Sequence, residues 1–173
     1  MFTIDLTLTK PINDISVQPY LEPKYDEELE DGRAVIVDIC RIIAKTNAVI
    51  FNVSGFGQEE WPVDCIVDLP LVIEQLPEIL ININQDCFEF EIDFYEQGVE
   101  RTIEFSELNN HKGKVQLLCK SRTDWLPNPE ILEIDREIIR EQIKKLHEVF
   151  LELGMRLCPN LIKNPLFIEW MKG

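Results

Sequence analysis

Positive charge is scarce in this chain: 17 Lys and Arg stand against 32 Asp and Glu, for a net charge of −15. Phosphate backbones are held by clustered Lys and Arg. Nucleic acid is therefore not an expected partner, and neither is an anionic membrane surface. Histidine occurs twice, at His111 and His147. His111 falls in a polar loop and His147 on the expected outer side of a long helix. Neither belongs to a local nucleophile signature, and both read as solvated. The five cysteines, Cys40, Cys65, Cys87, Cys119 and Cys158, include no Cys-x-x-Cys pair. That pattern suits free, buried thiols in a reduced, cytoplasmic protein better than a zinc site or a disulfide framework. No apolar run approaches the ~18 residues of a membrane span. The opening Met1–Leu6 carries Asp5 where a leader's apolar stretch would lie, so no leader is expected. Gly55-Phe56-Gly57 follows an apolar run, but Glu60 takes the place of the third glycine of a dinucleotide-binding loop, which leaves a turn. Nothing resembles a calcium loop. No metal, cofactor or catalytic residue is expected, and the chain does not read as an enzyme.

Apolar residues, by contrast, make up 45% of the 173 and are evenly spread. That predicts one globular domain over 1–173 with a sizeable core. Phe2, Ile4, Leu6 and Leu8 alternate with polar residues as a half-buried strand does. An acidic run from Tyr25 to Asp31 leads into a helix over 31–46, with Val35, Ile36, Ile39, Cys40, Ile42 and Ile43 on its apolar side. A strand follows over 48–53, and a short one over 61–67. Pro77 predicts that residues 69–83 form two short helical turns rather than one rod. Three strands are expected over 88–95, 99–106 and 115–120. Asp135 then opens a helix over 135–153, stopped by Gly154, with Ile138, Ile139, Ile143, Leu146, Val149, Phe150 and Leu153 facing inward. Asn164-Pro165 starts a short C-terminal helix. The fold class is α+β: an antiparallel, possibly mixed, sheet of four to six strands backed by two main helices.

The hairpin over 88–106 carries the most functional information. A turn at Gln97-Gly98 pairs Phe90 with Phe105 and Ile92 with Ile103 on one face. Arg101 falls on that apolar side. The other face receives Glu89, Glu91, Asp93 and Tyr95 from the first strand and Glu100, Thr102, Glu104 and Ser106 from the second. Five carboxylates thus share a face with no cation of their own, although a neighbouring strand could supply one. Residues 1–107 carry −17, whereas 108–173 carry +2. Such a field attracts a basic protein. The expected function is a non-enzymatic acidic binding protein, of inhibitor or immunity-neutraliser character. Its partner-binding residues would be Glu89, Glu91, Asp93, Tyr95, Glu100 and Glu104. The alternative is a small-ligand or regulatory module with a pocket between sheet and helices. A merely solvated face is the plain structural reading, and the sequence does not fix the oligomeric state.

Overall fold

A computed structural model of the chain describes residues 1–16, 19–108 and 113–173; His111 lies outside them. The architecture is α+β, with one two-stranded and one four-stranded antiparallel sheet and five α-helices among the described residues. Strand β1 (Thr3–Leu8) pairs with β2 (Val49–Ser54), with Ile4 opposite Val53 and Leu6 opposite Phe51. Their inward side chains are buried. The outer face is a polar ladder in which Asn52 Nδ2 donates to Asp5 Oδ1 and Thr7 Oγ1. Between the two strands runs α1 (Gly32–Lys45), capped by the Asp31 carboxylate, which accepts from Arg33 N–H. Its six expected apolar residues are all buried.

The segment over 61–67 is a turn rather than the expected strand. Trp61 N–H bonds to Val53 carbonyl, and the Asp64 carboxylate then collects Ile66 and Val67 N–H at 2.7 and 2.6 Å. Such local side-chain bonds compete with a ladder. They launch α2 (Asp68–Asn84), a single helix of 17 residues that runs through Pro77. The proline forfeits one helical hydrogen bond, but ten of the helix residues are buried. Burial of one large aliphatic side chain contributes about 1.5–3 kcal/mol. Several such side chains on both sides of Pro77 outweigh a break costing about 3 kcal/mol.

The second sheet is a meander of β3 (Phe90–Phe94), β4 (Arg101–Glu107), β5 (Lys114–Ser121) and β6 (Ile131–Asp135). The expected register holds, with Phe90 opposite Phe105 and Ile92 opposite Ile103. Residues 95–100 form a wider turn than two residues, with Gly98 and Glu100 at positive φ. Strand β6 was not expected; it is short, follows a proline-rich connection and passes directly into α3 (Arg136–Leu157). That helix runs past Gly154, which is no terminator. A Cβ there would come within 2.4 Å of Ile162 Cδ1, so glycine admits the next helix, α4 (Pro159–Ile162). Ile139, Ile143, Leu146, Phe150 and Leu153 are buried as expected, whereas Ile138 is exposed and Val149 half-buried. His147, expected outside, is half-buried with its Nε2 sealed and unbonded. The last helix, α5 (Pro165–Trp170), is capped by Asn164 and packs on α1.

One connected apolar core joins these layers. Phe2 lies 6.2 Å from Phe105 and 6.1 Å from Phe56, which bridges the two sheets. Among the described residues, no helix is long and apolar enough to cross a membrane.

Candidate functional site

The predicted acidic face is real as a register but divided in charge. At its turn end, β5 and the residue after it bring cations across. Arg122 Nη2 bonds to Asp93 Oδ1 at 2.6 Å and to Phe94 carbonyl, and Lys120 Nζ pairs with Glu104. Thr102 Oγ1 donates to Asp93 and accepts from Arg122. Glu100 belongs to the turn, where its carbonyl accepts from Arg122 N–H. Tyr95 OH donates to Glu74 Oε1 at 2.6 Å; burial and that carboxylate hold the phenol well above its ordinary value. Asp93 and Glu104 are therefore paired with cations, whereas Glu89 accepts only Glu107 N–H, at 2.8 Å, and neither Glu89 nor Glu91 has a cation among the described residues.

Those two turn toward a groove of about 850 Å³ between the start of α1, the outer side of α2, the edge of β3 and α5. Six carboxylates line it: Asp31, Glu74, Glu78, Glu89, Glu91 and Glu169. Arg33 is the one lining cation, and it is committed to Asp31 at 2.7 Å, holding that carboxyl below its usual value. Glu169 pairs with Lys172. Glu74, Glu78, Glu89 and Glu91 form no ion pair among the described residues. Pro77, Ile79, Phe90, Leu166 and Trp170 give the groove an apolar floor, and Trp170 Nε1 is fixed by Glu74 carbonyl. The sequence reading named Glu89 and Glu91 but missed their companions. A signal was present in Glu74 and Glu78, which stand four apart and so share one side of α2.

The edge of β3 forms one wall, and its backbone is instructive. Gln75 of α2 donates from Nε2 to Asp93 carbonyl at 3.0 Å and accepts Asp93 N–H on Oε1 at 2.9 Å. A side-chain amide thus takes the place of a neighbouring strand for one residue. Outward backbone groups recur every second residue along a strand. Glu91 therefore also presents its N–H and C=O to the groove, and no bond from the described residues meets them beyond the β3–β4 ladder.

Acid–base or nucleophilic chemistry finds little support in the thiols. Burial pushes Cys65 and Cys119 up to about 11 and Cys158 up to about 12, the opposite of an activated thiolate. All five cysteines are unpaired. No cluster of His, Cys, Asp and Glu among the described residues is arranged to hold a metal ion. No family model matches the chain, and no curated protein or solved structure matches it.

Proposed function

We propose that this protein is a non-enzymatic binding protein of the cytoplasm that captures an extended, Lys/Arg-bearing segment of a basic protein partner in the groove beside β3, in the manner of an inhibitor or neutraliser. The observation that carries this reading is the combination of four carboxylates without ion pairs and an open strand edge in one groove. An extended segment entering there continues the line that the Gln75 amide begins. Its backbone exchanges hydrogen bonds with Glu91, as in strand addition. Alternate cationic side chains reach Glu74 and Glu78 on one side and Glu89 and Glu91 on the other, while the apolar parts of their stems lie on Phe90 and Trp170. Opposite charges across such a surface speed association and select the partner more than they deepen affinity.

The test uses a short fluorescent peptide alternating Lys and Thr, with a second version N-methylated at alternate amides. Anisotropy titrations at low and moderate salt should show saturable, salt-weakened binding of the first and a clear loss for the second. The quadruple variant Glu74→Gln, Glu78→Gln, Glu89→Gln, Glu91→Gln should bind roughly tenfold or more weakly. Equal binding by that variant would remove the groove from the reading. Equal binding by the methylated peptide would remove strand addition and leave charge alone.

A further inference from the structure

Among the described residues, the most buried cation forms no ion pair. Arg101 is 3% exposed, on the inner side of β4. Its guanidinium carbon lies 3.5 Å from the ring centre of Trp125 and 4.4 Å from that of Trp61. The two indoles are 5.9 Å apart and inclined at 63°, so the cation fills the notch between them. Cation–π contact satisfies the faces of a guanidinium but leaves its in-plane N–H donors untouched. Here Nε and Nη1 are buried and bond to nothing among the described residues. No carboxylate forms an ion pair with this side chain there, in a chain with 32 acidic residues. An orphaned donor on a charged group is among the costlier features a fold carries.

We infer that the Trp61–Arg101–Trp125 box is a binding site for a small monocarboxylate, held in the plane of the guanidinium. A carboxylate offers two coplanar acceptors that match one edge of the guanidinium fork. The indoles pin the plane of that fork in advance, which lowers the ordering cost of binding. Nε and Nη1 are sealed as the box stands, so a carboxylate enters by displacing Trp125, the more exposed of the two walls. That ring is half-buried on the largely exposed connection between β5 and β6, whereas Trp61 behind it is 2% exposed and tied by Nε1 to Gly55 carbonyl. A net charge of −15 penalises every additional negative charge on a ligand, so one carboxylate is favoured over a phosphate dianion. None of the three box residues lines the acidic groove, and the site stands independently of the function proposed above.

The test is tryptophan fluorescence of the full chain in a Trp170→Phe background, so that only Trp61 and Trp125 emit. Sodium acetate, sodium benzoate, sodium phosphate and sodium chloride are titrated at one ionic strength. Acetate or benzoate should give a saturable change that chloride does not, with phosphate weaker than either. Arg101→Met should abolish it, and Arg101→Lys, which keeps the charge but not the planar fork, should weaken it roughly tenfold. The inference is overturned if chloride reproduces the response, if the wild-type box responds to no carboxylate, if phosphate binds more tightly, or if Arg101→Met still responds. Should circular dichroism show that Arg101→Met does not fold, Arg101→Lys decides: affinity equal to the parent overturns the site.

Discussion

The acidic groove and the tryptophan box depart from charge pairing in opposite directions. The groove gathers carboxylates without enough cations and leaves them half-exposed or exposed, where water screens their repulsion. The box holds one cation with no ion pair among the described residues and leaves it 3% exposed between two rings. An excess of charge at a surface costs little and projects a field outward. A single unpaired charge in the interior costs more and projects almost nothing. The first arrangement suits the capture of a macromolecule from a distance; the second suits selection of a small group by contact.

The sharpest way to separate the two is through their aromatic residues. Trp61→Ala removes a buried ring that supports both the box and the core, and should cost about 3–5 kcal/mol in denaturant unfolding. Trp170→Ala, at the half-exposed groove, should cost distinctly less. Next in size is the charge experiment. Neutralising Glu74, Glu78, Glu89 and Glu91 should slow association with a cationic peptide by roughly tenfold or more at low salt, with an unchanged or higher melting temperature. Neutralising Asp93 and Glu104, already paired with Arg122 and Lys120, should leave association nearly unchanged. Should both sets slow association equally, the division of the acidic face into a committed end and an open end is wrong. A smaller effect is expected from Glu104→Gln on stability, at most about 1 kcal/mol, because its pair with Lys120 is exposed. The smallest concerns His147. Burial lowers its affinity for protons below the ordinary 6.5. The folded state then binds fewer protons than the unfolded one. Its contribution to stability is present above pH 6.5 and is lost as pH falls through the depressed folded value. His147→Gln should flatten that slope in melts recorded from neutral to mildly acidic pH. An unchanged slope would place the sensitivity elsewhere.

What the sequence disclosed follows the range of the interactions involved. Alternation of Phe90, Ile92, Ile103 and Phe105 specified the hairpin register, because a slip by one residue would turn every apolar side chain outward. The same argument placed Arg101 on the inner face. Its two tryptophans were invisible as partners, since Trp61 and Trp125 come from segments 40 residues before and 24 after, joined only by the fold. Pro77 gave a correct local cost and a wrong conclusion, because the buried sides of α2 outweigh one missing bond. Gly154 looked like a helix stop because nothing local revealed Ile162 pressing on it. The groove was half legible: Glu89 and Glu91 came from the strand pattern, but Glu74, Glu78 and Glu169 join them through helix packing that no single segment encodes.

The packing of α3 on β1 has a consequence for biosynthesis. Gln142 Nε2 bonds to Phe2 carbonyl across 140 residues of chain, and the two elements share the core. β1 and β2 are complete once Ser54 has been made, but α3 begins only at Arg136. At about 5–20 residues per second, synthesis of the helix begins only roughly 4–16 s later. A sheet of only two strands is marginal without further packing. For those seconds Phe2, Ile4 and Leu6 lack the helix that later buries them, and the nascent chain depends on whatever shields its first strand until its longest helix leaves the ribosome.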